Sequence, residues 1–508
     1  MSDSNNMEYE REVKLMNIKG AASCDYPLPD YLGDVKKIIK YSAEIIPNDK
    51  FSGGAEVSFL FSVEYRVMYL DREDVLTEAC FSSEFEHTER VSDGFIDAYA
   101  VGRVENLTIR LQGPRKICAK AGTAVDVYIR ENAVIPVCEL PSDAERSSVS
   151  VKMHFPRYSE SGEREYAERI ASIEDLSCDE VETVKCRSFP VTESVKAIDE
   201  GVEIKGYVIG SAILRARGDV MRVEKRIPFA EVIPFDAINK EGCVFTAKVF
   251  ATDAALSLNN EITDAESAAC YLSVVLSYAL KCALKCDTGY EYTLVKDAFL
   301  PGMKNSASYS DFTYNELIAS FNEKRKVSLE IPRPEEAIRE IVECDAELKG
   351  IRYEIAGEEL TVFGEVVFSA AASLADGVEF IPVKHSCPFE EKIKIKGGLE
   401  GARADLGVTV SDIGVSFDNE KLYPGATLDI SAVLLRSNTV SVISGLSCEE
   451  TEKKGNCMRV YYPTSGDTLW NIAKRYAVSV FSLMKANTLA IKGIDDSLDD
   501  MKYILIPT

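Results

Sequence analysis

Histidine is scarce in this sequence: His87, His154 and His385 are the only three in 508 residues, and they lie far apart. It is the side chain most often recruited as a general base or metal ligand near neutral pH, so hydrolase and metalloenzyme chemistry start with little to work with. No G-x-x-x-x-G-K-[ST] loop is present to cradle a nucleotide's phosphates, and no G-x-S-x-G nucleophile elbow. The 14 cysteines include no C-x-x-C pair. Such scatter in a large chain fits reduced, mostly buried thiols better than a disulfide framework. Cys282-x-x-x-Cys286 and His385-x-Cys387 offer two ligands each, whereas structural zinc takes four. Acidic pairs such as Glu390-Glu391 and Glu449-Glu450 read as solvated surface rather than glycosidase carboxylates. No catalytic residue, metal or cofactor is expected, and the chain reads as non-enzymatic.

Long apolar runs are missing as well. The longest notable uncharged run, Ser267 to Leu280, has 14 residues broken by serines, and a membrane span needs about 20 apolar residues. The first eight residues have no basic n-region or apolar h-region, so no signal peptide is expected and the protein should stay inside a cell. Basic residues are in deficit, 58 Lys and Arg against 83 Asp and Glu, which leaves a net charge of −25. That charge repels phosphates and argues against nucleic acid or anionic membrane as primary partners.

What the chain does contain is self-similarity. Thr252 to Glu261 aligns without a gap with Ser411 to Glu420, sharing Asp, Ser, Asn and Glu, and Glu105 to Gln112 is a fainter copy. Upstream, Pro228-Phe229 matches Pro388-Phe389, and Gly206 to Ser211 resembles Gly364 to Ser369. Pro27-Leu28-Pro29-Asp30 leads to Ser42-Ala43-Glu44-Ile45, as Pro332-Arg333-Pro334-Glu335 leads to Asp345-Ala346-Glu347-Leu348. The landmarks recur in one order about 150–160 residues apart. Within a copy the period is two, as in Leu360, Val362, Gly364, Val366 and Phe368, which marks half-buried strands. The expected fold is mainly β: three repeated antiparallel β-sandwich or barrel-like domains with short helices, one of them at Glu335 to Val342, where Ala337, Ile338, Ile341 and Val342 share a helical face behind Pro334. The expected bounds are 1–147, 148–325 and 326–446, then a linker at 447–455 and a small module at 456–508.

The module differs in composition: six Lys and Arg against five Asp give it +1, leaving −26 on residues 1–455. Its Ser465-Gly466-Asp467-Thr468-Leu469-Trp470 block, the Ile472, Ala473 and Tyr476 helix face, Leu483 to Asn487 and the closing Tyr503 to Pro507 closely resemble a LysM domain. The order β-α-α-β follows independently. Asp467 sits where an N-cap should, with Leu469, Ile472, Ala473 and Tyr476 at helical spacing behind it. Ser479 caps a second helix that ends at Asn487. The resemblance implies a groove between two loops that binds N-acetylglucosamine-containing glycans, with Ser465, Gly466, Asp467, Thr468, Leu469 and Trp470 on one side. Asn487, Leu489, Ala490 and Ile491 stand on the other. A Pro-Gly turn usual in that family is replaced here by Asp495 to Asp500, which alters the turn and the charge beside the groove, so a protein ligand is expected at least as much as a glycan. Trp470, the only tryptophan, reads either as an exposed aromatic anchor or as a helix residue packed half into the module core.

Three β-rich repeats followed by a LysM module resemble the SipL family of clostridial spore coat morphogenetic proteins, whose repeats are SPOCS domains. That resemblance implies a scaffold in the mother-cell cytoplasm at the forespore surface. It would dock through the LysM module to the spore coat basement ATPase SpoIVA, with other coat proteins as further partners. The alternative is a glycan-binding protein of the cell wall or spore cortex. A wall hydrolase with a LysM anchor lacks a recognisable catalytic domain.

Overall fold

The computed structural model describes residues 7–135, 138–235, 243–262, 270–334, 336–375, 379–450, 458–487, 497–499 and 501–507. Strand accounts for 79% of it and helix for 4%, so the protein is mainly β. The first copy has six strands: β1 (Met7–Pro27), β2 (Val35–Gly53), β3 (Glu56–Asp71), β4 (Leu76–Arg90), β5 (Phe95–Leu111) and β6 (Lys116–Ile135). The middle three form an antiparallel meander, β2-β3-β4, and the outer three a second sheet in the order β1-β6-β5. Alternation dictates this layering. Val57, Phe59, Phe61, Val63 and Tyr65 of β3 turn one face inward onto Ala119, Ala121, Val125, Val127 and Ile129, closing a two-layer sandwich.

The second copy repeats the arrangement with β7 (Glu145–Glu160), β8 (Arg164–Glu174), β9 (Val181–Ile198), β10 (Gly201–Ala216), β11 (Asp219–Ile233), β12 (Val244–Ile262) and β13 (Cys270–Phe299). The third has β14 (Met303–Ser328), β15 (Ile331–Pro332), β16 (Ile338–Ala356), β17 (Glu359–Leu374), β18 (Phe380–Lys394), β19 (Ala402–Phe417) and β20 (Lys421–Glu450). In each, the last strand pairs with both the first and the penultimate one, and the inner three form a meander. β14 pairs with β20 over its whole length, which places Met303–Ser328 in the third copy, ahead of the expected break at 325/326. Similarly, β7 begins at Glu145 and β20 runs through Ser447 to Glu450, so strand replaces the first residues of the expected linker.

The aligned motifs fall on equivalent strands. Thr252 and Ser411 each precede a bulge, between Thr252 and Ala255 in one copy and between Ser411 and Gly414 in the other. The shared Asp has a local reason. Asp253 and Asp412 take left-handed backbone, at φ 54° and 51°, where Asp is tolerated and a β-branched residue is not. Asp253→Val is expected to lower stability by about 1–2 kcal/mol, read as a reduced urea midpoint, while Asp253→Gly should be close to neutral. Phe229 and Phe389 likewise lie opposite Gly206 and Gly364. A Cβ on Gly364 would come within 2.7 Å of the Phe389 ring, so the glycine makes room for the cross-strand aromatic.

One helix expected from the sequence is a strand. From Ile338 onward the chain is β16, paired with β17, and Ala337 is exposed. The pairing slips between Ile338 and Glu340 and again between Ile341 and Glu343. Each bulge adds a residue to the repeat, so buried Ile338 and Val342 acquire the spacing of a helix. β2 has bulges at the corresponding places. Outside the C-terminal module the one helical turn among the described residues is the 3₁₀ turn Cys178–Glu180.

The three copies meet at two junctions. Ile39, Met68 and Leu76 of the first copy, Ile213 of the second and Val342, Ala371 and Phe380 of the third form one shared apolar cluster. Tyr9 and Ile135, Val151 and Met153, and Phe312 and Val442 form the other. Full burial of each aliphatic side chain there contributes about 1.5–3 kcal/mol. Beside each junction lies a charged cluster drawn from all three copies. At the first, Lys40 and Glu78 meet Lys185 and Arg187, and Glu343 and Asp345. At the second, Lys14 and Lys285 share Asp405 at 2.5 and 2.9 Å, and His154 bonds Asp287 at 2.7 Å.

Candidate functional site

The C-terminal module is built from β21 (Met458–Tyr461), α1 (Leu469–Tyr476), α2 (Val480–Asn487) and β22 (Ile504–Pro507), with β21 and β22 antiparallel. Its core is Leu469, Ile472, Ala473, Val480, Leu483, Leu498, Ile504 and Ile506. Ser479 sits before α2, with its hydroxyl 3.4 Å from the Ser482 amide.

The first loop is organised by Asp467. Its carboxylate accepts from the Tyr461 hydroxyl at 2.6 Å and from the Thr464 amide and hydroxyl at 2.8 and 2.9 Å. The Tyr461 bond first, then the Thr464 amide, hold its pKa below the usual carboxylate value. Asp467 is therefore occupied, and it does not cap α1 as its position suggested. Thr468 is the N-cap instead: its backbone is extended, and its hydroxyl accepts from the Asn471 amide at 3.2 Å. Ser465 and Gly466 form the exposed tip, with Gly466 at φ +87°.

Of the second loop, Leu489, Ala490 and Ile491 lie outside the described residues. The described part folds back onto the first loop. Ser497 bridges Thr468, the Leu498 amide donates to the Asp467 carbonyl at 3.0 Å, and the Gly466 amide donates to the Asp499 carboxylate at 3.2 Å. One of the backbone donors at the tip is thus held by the acidic turn. Asn487 is a clip between α2 and β22. Its amide nitrogen donates to the Leu483 and Leu505 carbonyls at 2.8 and 2.7 Å, and its oxygen accepts from the Leu505 amide at 2.6 Å. Asn487→Ala is expected to destabilise the module by about 1–3 kcal/mol through backbone groups left unpaired. Loss of amide-exchange protection at Leu505 would report it.

Leu469 is fully buried and Trp470 is 4% exposed. The indole turns away from the loops and against the body. Its Nε1 donates to Asp297 at 2.8 Å, and its ring meets Phe299 edge-on at 5.1 Å. The Lys474 ammonium bonds both Asp297 oxygens at 2.7 Å and the Tyr309 hydroxyl at 2.8 Å, and the Gly302 amide donates to the Ala477 carbonyl at 2.7 Å. Burial works against the Asp297 carboxylate, but Lys474 and Trp470 outweigh it and hold its pKa low. The anchor reading of Trp470 is thus met by this protein's own body, through residues carrying no local sequence signal.

A second surface went unread in the sequence. Met458, Val460 and Tyr462 are 63%, 55% and 68% exposed, and Tyr503 is 51% exposed. Tyr461 turns inward to the core, so Met458 and Val460 share the opposite face of the β21–β22 ribbon, with Tyr462 and Tyr503 directly beyond its last pair, Tyr461 and Ile504. The Met-x-Val-x-Tyr alternation in so thin a module was the available signal. Elsewhere, Cys282 and Cys286 are buried, and Cys387 is buried while His385 is exposed. Among the described residues no group of three or more His, Cys, Asp or Glu is placed to hold a metal, and no helix is long and apolar enough to cross a membrane.

Residues 464–495 match the LysM domain family. A LysM domain points to carbohydrate or peptidoglycan binding. No curated protein and no solved structure matches the chain.

Proposed function

From a LysM module fixed to a three-copy β body, we infer that the protein is a non-enzymatic assembly scaffold of the spore coat. It works in the mother-cell cytoplasm at the forespore surface, docks to the coat basement ATPase SpoIVA through its LysM module, and offers the acidic repeats to other coat proteins. The observation that carries the protein-docking part is the exposed apolar face of Met458, Val460, Tyr462 and Tyr503. Large apolar side chains exposed close together suit contact with a protein partner. The acidic turn that takes the Gly466 amide adds support, because it occupies a donor at the tip where a sugar would be held.

The test is capture of the purified ATPase by the full-length chain, by a chain lacking residues 456–508, and by Val460→Asp/Tyr462→Asp. Capture should be lost in the second and strongly weakened in the third; equal capture by all three refutes the docking. The LysM match itself favours a second reading, binding to N-acetylglucosamine-containing glycan. Saturable co-sedimentation of the full-length chain with insoluble peptidoglycan, unchanged by Val460→Asp/Tyr462→Asp, would select it.

A further inference from the structure

A cavity of about 1150 Å³ lies between the three copies, lined by equivalent strands of each: β2 and β5, β9 and β12, β16 and β19. Its lining carries eight basic and seven acidic side chains, a balance of +1 inside a chain whose net charge is −25. Most of these charges have an ion-pair partner, either within the lining or just outside it. Arg103 pairs with Asp126 at 2.6 Å, Lys324 with Asp429 at 3.3 Å, and Lys349 with Glu347 at 3.8 Å. Glu44, Glu193 and Asp253 are exposed.

Of the two lining cations without an ion pair, Lys384 is exposed and lies over the Tyr41 ring, whereas Lys248 is not exposed. Phe245, Ala247, Val249 and Ala251 pack on the core of the second copy, so Lys248, between them on β12, points the other way, into the cavity it lines. It is half-buried, and among the described residues its ammonium has no ion pair and no hydrogen bond. Burial pushes its pKa down, opposed only by the charge of Asp126, which Arg103 already holds. The equivalent positions show that this lysine is particular to one copy. Tyr99, Lys248 and Gly407 each stand seven residues before the residue that resumes pairing past the bulge, Asn106, Ala255 and Gly414. One copy thus supplies an ammonium, another a phenol ring as wall, and the third no side chain at all. Thr246, Thr252 and Thr409 add hydroxyl donors to the same lining.

A half-buried ammonium without a partner is costly, and an anion entering beside it removes that cost. The volume is more than enough for a small molecule, and between the paired charges the walls carry apolar and hydroxyl groups that can contact one. We propose that the central cavity binds a small organic anion whose carboxylate or phosphate pairs with the Lys248 ammonium. The site is independent of the LysM module.

Thermal denaturation of the full chain with sodium benzoate and with sodium phosphate, against sodium chloride at matched ionic strength, tests this. The same series is run on Lys248→Met, which removes an unpaired charge and is expected to fold with an unchanged or higher midpoint. Ligand-linked stabilisation should raise the midpoint of the native chain in a saturable way and be lost in Lys248→Met. A rise with benzoate alone assigns a carboxylate, and a rise with phosphate alone a phosphate ester. Equal shifts in both proteins, or no shift beyond chloride in the native chain, overturn the proposal.

Discussion

Asp345→Asn is expected to destabilise the body by about 3–5 kcal/mol, the cost of breaking a buried charge cluster by removing one partner. Denaturant unfolding would report it as a lower midpoint at an unchanged slope. Asp345 accepts from Lys40 of the first copy and Arg187 of the second, while Lys185 bridges Glu78 and Glu343 at 2.8 and 2.5 Å. Three cations face three anions, all but Arg187 with little solvent contact. Removing the Asp345 anion leaves Arg187 without its ion-pair partner and Lys40 with Glu343 alone, at 3.3 Å. The double variant Asp345→Asn/Arg187→Gln should recover part of the loss. A single-variant cost below about 1 kcal/mol, the range of a solvated surface pair, would sink the idea. Burial alone would raise the Asp345 pKa; Arg187, then Lys40 and Lys185, reverse this and hold it far below the usual range. A depressed carboxyl stabilises the fold fully above its unfolded value of about 3.9 and loses that contribution as pH falls toward the folded value. Native protein should therefore weaken in acid more steeply than Asp345→Asn.

The same cluster explains what the sequence could and could not disclose. Copies were legible because each buries the same alternating face, and motifs such as Pro228-Phe229 and Pro388-Phe389 do occupy matching strands. How the copies meet was not legible, because the junction is made of differences at equivalent positions. Lys40, Lys185 and Glu343 each pair with the thirteenth residue of a 16-residue central strand, Met68, Ile213 and Ala371. Ser42, Arg187 and Asp345 likewise pair with the eleventh, Arg66, Ser211 and Ser369. A search for resemblance passes over a place where one site holds Lys, Lys and Glu. These unlike charges let the copies pair with one another, Lys185 with Glu78 and Glu343, and Asp345 with Lys40 and Arg187, which identical residues at these positions would not. The strand at Ile338 was misread for a related reason: two bulges reproduce helical spacing, and nothing local separates the two conformations. In the LysM module the helices and the Ser479 cap were readable, since their partners lie within a few residues. The partner of Trp470 is 173 residues upstream, so neither reading of the indole could name it.

Asp297→Ala is expected to free the LysM module from the body while leaving it folded. Donors from Trp470, Lys474 and Tyr309 converge on this one carboxylate. Truncating a half-buried, hydrogen-bonded charge partner costs about 2 kcal/mol or more, and apart from Asp297 the docking rests on Phe299 packed against Trp470, the Lys474–Tyr309 hydrogen bond and the Gly302–Ala477 hydrogen bond. The module keeps its own core of Leu469, Ile472, Leu483, Ile504 and Ile506, so it should survive release. In the native chain, amides of α1 should relax as part of a 56.1 kDa particle; in Asp297→Ala they should sharpen to those of a small, independently tumbling domain. Unchanged line widths would refute the docking. Because Asp297 has a depressed pKa, the contact is complete above about pH 3.9 and weakens as pH falls through the folded value. Asp297→Ala also separates two meanings of a Trp470 variant. Trp470→Ala removes the indole from both the module core and the body contact. If it abolishes capture of the ATPase and Asp297→Ala does not, the partner depends on the module itself. If both abolish capture, what the partner reads is the Val460 and Tyr462 face held at a fixed angle to the body.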